Sequence, residues 1–339
     1  MRGRPGIPLP AVIQHASPSD RLSGSLILIR SQAVAQRTAM IEKGVEFLVS
    51  TQNPDGGWGA EKGKRSNTEA TSFSVLGLSA LRDKSLTDSI KQGLTWLINR
   101  QNPDGSWPLT APLNDGSWTT ALAVLSLAPF EAHRLRALRG ARWLLRREGE
   151  DIGWVVSLLY RVAPERLPFQ LNPDLKGWPW TSGTFSWVEP TAYALIALKN
   201  LRPYLQETRA EERIREGELM VYDRMCEGGG WNYGNSKVLG VDLWPYPDIT
   251  ALVLIALQDH QEAEANQLSL QALRKMLTQV ESGFTFSWSI ICFSLYGHDI
   301  SRWRKRLARI YEERGFLGQT KTFALALLAS GNGADLLRV

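Results

Sequence analysis

Apolar positions recur along this chain at helical spacing, in segments of two alternating kinds. One kind is amphipathic, with apolar residues on one face and charge on the other, as in residues 23–50, 135–147 and 300–313. The other kind is almost free of charge, as in residues 70–81, 119–127, 189–198, 248–257, 287–295 and 320–330. A helix that is apolar or small on every side belongs between two layers, so the second kind predicts buried helices and the first their solvent-facing partners. Pairing each amphipathic segment with the apolar one after it gives six helical hairpins. No run of strand-like alternation competes with this reading.

The hairpins share a turn that the chain spells out twice, Gln52-Asn53-Pro54-Asp55-Gly56-Gly57-Trp58 and Gln101-Asn102-Pro103-Asp104-Gly105-Ser106-Trp107. Proline cannot continue a helix, aspartate suits a turn, and glycine accepts the positive φ that ends one. A helix, a stop and a second helix in a period near 50 residues is the signature of a helical-hairpin repeat. Six such units give twelve helices, enough to close one ring, and a closed ring needs no capping repeats.

The pattern Gly44-x-x-Phe47-Leu48-x-x-x-Gln52-x-x-x-Gly56-x-Trp58, repeated from Gly93 to Trp107, resembles the Gln-Trp repeat of squalene–hopene and oxidosqualene cyclases. The wider superfamily, terpenoid cyclases and protein prenyltransferase β-subunits, is built as a toroid of two concentric helix rings. The resemblance therefore implies an all-α, (α/α)6 toroid. It is specific in its first two copies and degenerate afterwards.

The expected organisation is an N-terminal arm over residues 1–22, proline-rich at its start, then a single toroid over residues 23–339. An insertion at about 148–187, carrying Trp154, Trp178, Trp180 and Trp187, reads as a partly helical flap or rim. Thirteen tryptophans fit a repeat that uses tryptophan in its turns. Two cysteines, Cys226 and Cys292, make no disulfide framework and favour a reducing, cytoplasmic compartment. No stretch has the length and apolarity to cross a bilayer. The net charge of +5 is concentrated in residues 133–142 and 302–306. A solvated outer-helix face accounts for both clusters, contact with an anionic membrane surface or a diphosphate is the sharper alternative, and no motif points to nucleic acid.

The inner-helix starts gather at one end of a ring, and in order they present Glu69, Trp118, Glu189, Asp248, Trp288 and Lys321. Three carboxylates, two indoles and an amine around an apolar cavity suit a ligand site. Acidic residues at helix starts are also ordinary caps, and both readings stand at this point. The segment Tyr246-Pro247-Asp248-Ile249-Thr250-Ala251 resembles the Asp-x-Asp-Asp-Thr-Ala segment of class II terpene cyclases. Registered on Thr250-Ala251, Asp248 takes the place of the aspartate that protonates an alkene or epoxide, while Tyr246 and Ile249 replace its acidic neighbours. The resemblance makes Asp248 the general acid, with Glu189, Tyr246 and Asp242 as its supports. Glu69, Trp118, Trp244, Phe284, Phe286, Trp288 and Lys321 are the expected substrate-binding set, the aromatic faces serving to stabilise carbocations.

A prenyltransferase-type zinc site is not expected, because Ile290 stands where an aspartate would precede Cys292 and the last inner helix has no histidine. No cofactor is implied. The expected ligand is an isoprenoid or other apolar small molecule, with a membrane surface or protein partner covering the open half of the cavity. The expected reaction is proton-initiated cyclisation or isomerisation. A non-catalytic module for a lipid or protein, and an (α/α)6 glycosidase using Glu69 and Asp248, are the competing readings.

Overall fold

The computed structural model describes residues 18–150, 154–163, 167 and 171–339; the expected arm lies outside these as far as residue 17. The first helix, α1, spans Pro18–Thr51 and so takes in residues 18–22. Proline is at home there, because the first turn of a helix has no use for its missing N–H.

Five more helices of the amphipathic kind follow: α3 (Thr87–Arg100), α5 (Arg134–Leu145), α8 (Thr208–Asp223), α10 (Glu264–Met276) and α12 (Ser301–Arg314). The apolar kind forms α2 (Thr68–Ser79), α4 (Thr119–Leu127), α7 (Val188–Asn200), α9 (Pro247–Ala256), α11 (Gly283–Leu295) and α13 (Thr320–Ser330). Each apolar helix packs on the next, α2 on α4, α4 on α7, α7 on α9, α9 on α11 and α11 on α13, and α13 returns to α2. That is a closed ring of six. The amphipathic helices surround it, α3 on α2, α5 on α4, α8 on α7, α10 on α9 and α12 on α11, with α1 on α13. The fold is the all-α toroid that the repeat implied.

The turn tryptophans lock this arrangement. Trp58 is fully buried, its Nε1 donates to Leu48 O (2.7 Å), and its backbone N donates to Thr71 Oγ1 (3.0 Å). Trp107 repeats both bonds with Leu97 O and Thr120 Oγ1, Trp178 with Leu144 O and Thr191 Oγ1, and Trp231 with Val221 O and Thr250 Oγ1. Each indole thus ties the end of an outer helix to the start of its inner partner, leaving no buried N–H unpaired. The glutamine acts between hairpins: Gln52 Nε2 donates to Gly56 O and to Ser89 O at the start of α3.

Four clamps are present where two were legible. Leu144 precedes Trp178 by 34 residues, whereas the other three carbonyl acceptors precede their tryptophans by 10. The inserted residues therefore lie between α5 and the third turn, and the later part of the expected 148–187 insertion, including Trp178, is itself repeat. Within the insertion, α6 spans Trp154–Val162. In the fourth repeat a short hairpin, β1 (Lys237–Val238) against β2 (Val241–Asp242), separates Trp231 from Thr250. A final turn of helix, α14, spans Gly333–Leu336.

A second set of bonds brings the inner-helix starts to one face. Thr320 N donates to Ala60 O, Thr68 N to Leu109 O, Trp118 N to Trp180 O, and Val188 N to Tyr233 O. In every case the acceptor stands two residues after a clamp tryptophan. The loops before α13, α2, α4, α7 and α9 are stitched edge to edge, which makes a common mouth.

The basic clusters tie hairpins together. Arg139 donates to Pro103 O, Arg142 pairs with Glu207, Arg304 reaches the carbonyls of Ala329 and Gly331, and Arg306 pairs with Glu281. Among the described residues no helix is long and apolar enough to cross a membrane.

Candidate functional site

The mouth is built from equivalent positions. The second residue is Glu69 in α2, Glu189 in α7, Asp248 in α9, Phe284 in α11 and Lys321 in α13. In α4, the residue equivalent to these by its spacing from the clamp threonine is Trp118. Six expected residues, Glu69, Trp118, Glu189, Asp248, Phe284 and Lys321, thus share one level of the ring. Trp288 does not, because α11 begins at Gly283, earlier than its sequence suggested. The run Phe284-Thr285-Phe286, which reads as the approach to a helix, is its first turn, started by Ser282 Oγ accepting from Thr285 N.

The carboxylates here do not cap their helices. Asn67 caps α2 through Ala70 N, while α7 and α9 have no side-chain cap bond. Their polar contacts run across the mouth. Lys321 Nζ pairs with Glu69 Oε1 at 3.2 Å and lies over the Phe284 ring, 5.1 Å from its centroid. Asp248 Oδ2 accepts from the hydroxyl of Tyr233 at 3.0 Å. Glu189 is partly buried between these pairs. Burial pushes its carboxyl up to about 8; Lys321 opposes the rise, and the charges of Asp248 and Glu69 add to it. At neutral pH Glu189 is mostly protonated, because burial disfavours its charged form.

Below this level the axis is closed by aromatic rings. Phe73, Tyr193 and Trp288 are each the sixth residue of their helix, α2, α7 and α11, which are alternate members of the ring. Their centroids lie 6.0–6.4 Å apart in each pair, a contact that alternate helices can make only across the centre. Four residues of helical rise place this floor about 6 Å beneath the carboxylates. Trp118 continues it upward, 5.5 Å from Tyr193 and edge-on to Trp180 at 5.0 Å. Burial holds the Tyr193 hydroxyl well above its ordinary range, with Glu189 the next cause, so it is a donor throughout the physiological range.

Four of the expected residues stand elsewhere. Phe286 turns outward, buried against Trp303 of α12 with centroids 6.0 Å apart, because the helical turn that aims Phe284 at the mouth aims a residue two positions on away from it. Asp242 sits in β2 and pairs with Lys237 across the hairpin at 3.3 Å. Trp244 stands in solvent, 86% exposed. Tyr246 is half exposed and packs on Tyr233 with centroids 5.6 Å apart, so it reaches Asp248 only through that ring. The residue that bonds Asp248 directly, Tyr233, was not among the sequence candidates. Nor were Phe73 and Tyr193, the partners of Trp288 in the floor.

Cys292 is fully buried, and burial raises its thiol far above the ordinary range. His298 packs edge-on to Phe293. Among the described residues, the carboxylates and ring nitrogen that come within metal-ligand reach of one another belong to Glu218, Asp259 and His260, near the opposite ends of the inner helices. Lys199 Nζ already lies 2.5 Å from Glu218 Oε1 and from Asp259 Oδ1.

Residues 23–116 match the squalene-hopene cyclase C-terminal domain family. No curated protein matches the sequence. The fold is that of the type II terpene cyclase MstE from Scytonema, with a TM-score of 0.55 at 16% identity over 89% of this chain and 99% of that one. The same cyclase has been solved with geranylgeranyl dihydroxybenzoate, its substrate (TM-score 0.56, 16% identity, 90% and 99% covered). A cellobiose 2-epimerase from Spirochaeta thermophila shares the toroid too, with a TM-score of 0.57 at 10% identity over 93% and 98% of the two chains.

Proposed function

We propose that this protein is a terpene cyclase-like enzyme that protonates an isoprenoid chain at the mouth of the ring, with Asp248 as the acid. The observation that carries the reading is the set of three carboxylates, Glu69, Glu189 and Asp248, that do not cap their own helices and gather above an aromatic floor. In the proposed step the Asp248 O–H bond breaks as its proton passes to an alkene carbon or epoxide oxygen. The cation that forms lies against the faces of Trp118, Tyr193 and Phe284. Closure of a ring and transfer of a proton from carbon to water then give a neutral product, an isomer of the substrate, and Asp248 recovers its proton from solvent. The Tyr233 hydroxyl supports the charge left on Asp248, and protonated Glu189 keeps the mouth from holding a further negative charge. Lys321 does the same for Glu69.

The reading does not require a second helical domain. The solved cyclase chain is covered over 99% of its length by a single toroid. The test is incubation of the wild type and Asp248→Asn with squalene and with linear geranylgeranyl compounds, followed by product analysis. The variant should fold, bind the chain and lose turnover on the order of 100-fold or more, the scale of general-acid contributions. Equal product from both proteins would remove Asp248 from the mechanism.

A second reading takes support from the floor. With Phe73, Tyr193 and Trp288 meeting at the axis, the bowl is shallow and polar-rimmed, which also suits a sugar bound between Trp118 and the carboxylates. Reducing-end changes in cello- or malto-oligosaccharides, with prenyl substrates inert, would favour it.

A further inference from the structure

Beside the mouth, behind the loops that precede α7 and α9, a cavity of about 270 Å³ lies under the inserted helix α6 and is lined by none of the mouth residues. Its apolar walls include Val156, Leu171, Leu175, Phe185 and Trp187, and Arg224 stands among them. Arg161 of α6 pairs with Asp174 at 2.9 Å, which fastens the roof to the 171–176 segment. The outer face of α6 carries Val155 and Leu158, both about half exposed, while Val156 turns inward.

Arg224 is the unusual member. It is 5% exposed, and burial lowers its guanidinium from the ordinary range, with Asp223 countering the effect. Nη1 donates to Asn235 Oδ1 at 3.0 Å. Nε is buried without a hydrogen-bond partner; Asp223 Oδ2 stands 3.3 Å away and already accepts from Asn172 N. An arginine at the end of α8 has a simple structural use, since a cation favours the carbonyl end of a helix. That use needs no apolar chamber against the guanidinium and no unpaired N–H. A buried cation with one N–H lacking a hydrogen-bond partner, at the side of an apolar cavity, is complementary to an acceptor carried on an apolar chain.

We propose that this cavity is a second binding site, separate from the mouth, for a small amphiphile with a single carboxylate: the head meets Arg224, and the chain lies along Val156, Leu175 and Trp187. The volume suits a ligand of roughly ten heavy atoms. One negative charge is specified because the lining cations, Arg224 and Lys176, share the site with two carboxylates, Asp223 against the guanidinium and Glu150 in the cavity wall, which a dianionic head would also meet. The site does not depend on the reaction at the mouth.

The probes are octanoate, octanol and octyl phosphate, titrated below their micelle concentrations into the full chain and followed by calorimetry. Octanoate should bind at least tenfold more tightly than octanol and than octyl phosphate. Arg224→Met should remove the preference for octanoate while leaving octanol binding in place. Val156→Trp, which fills the chamber from α6 and leaves Arg224 untouched, should abolish binding of both, with an unchanged unfolding midpoint. If Arg224→Met does not fold, the Val156→Trp result decides alone. Octanoate binding no tighter than octanol, or unchanged in Val156→Trp, overturns the proposal, and tighter binding of octyl phosphate overturns the carboxylate assignment.

Discussion

The hydroxyl of Tyr233 reaches Asp248 Oδ2 at 3.0 Å because a single clamp sets both residues. Trp231 N donates to Thr250 Oγ1; Tyr233 lies two residues after that tryptophan and Asp248 two before that threonine. The same clamp that holds the ring therefore aims the donor at the acid. Tyr233→Phe should leave the fold intact and lower turnover of an accepted isoprenoid by about tenfold, the share of one hydrogen bond to a charged group. KM should change little, because the bond gains strength only as Asp248 acquires charge. A loss confined to KM would mean that Tyr233 positions substrate and does not support the acid.

Glu189 predicts how stability depends on pH. An unfolded glutamate titrates near about 4.3, whereas in the folded protein burial pushes this carboxyl up to about 8. Between those values the folded state binds the extra proton, so this group's contribution to stability is largest at the acid end and falls as pH rises through the window. Full ionisation above the window should cost on the order of a few kcal/mol. Glu189→Gln should remove that slope, and the difference in denaturation midpoint between variant and wild type should grow from pH 5 to pH 9. Parallel curves over that range would show that Glu189 is as easily charged as in the unfolded chain.

The ring was legible because two kinds of helix alternate with a repeated stop, and an apolar segment such as residues 248–257 has nowhere to go but between layers. The mouth was legible in part for the same reason. A charged second residue in a buried helix, such as Glu69, Glu189 or Lys321, stands out from its surroundings. Tyr233 was hidden because the β1–β2 hairpin sets Thr250 19 positions after Trp231, where the other clamps have a separation of 13. Phe73 and Tyr193 were hidden for another reason. Mid-helix aromatics look like ordinary core, and only the rotation of each helix within the closed ring shows which of them face the axis. The third clamp was missed because the long insertion moved Trp178 away from its helix.

Lys199 holds the end of the ring opposite the mouth. Its ammonium is buried, donates to Ala256 O at 2.8 Å, and lies 2.5 Å from carboxylate oxygens of both Glu218 and Asp259. It thereby links α7, α8 and the end of α9. Lys199→Met should destabilise the protein by about 3 kcal/mol, because Glu218, with a side chain 14% exposed, loses its buried counter-charge, while the more exposed Asp259 adds little. Adding Glu218→Gln should restore part of that loss. A double variant no more stable than Lys199→Met alone would place the cost in packing and not in stranded charge.

Gly93 and Trp58 provide the sharpest test of how the repeat works. A Cβ on Gly93 would come within 2.7 Å of Trp58 Cζ3 and of Val75 Cγ2, so a helix-favouring alanine is excluded by shape alone. Gly140 meets Trp107 and Gly217 meets Trp178 in the same way, each glycine coming from the outer helix of the next repeat. Gly93→Ala should therefore cost about 1–3 kcal/mol through overpacking, against the small gain that alanine normally brings to a helix. Trp58→Ala should cost about 3–5 kcal/mol, as for other buried large aromatics. In the Trp58→Ala background the clash partner is gone and the new methyl enters the space it left, so the added Gly93→Ala should be nearly neutral or stabilising. The measured coupling between the two sites should then be about 1–3 kcal/mol in favour of the double variant. Additive costs in denaturant unfolding would mean that Val75, and not the indole, makes glycine necessary at position 93.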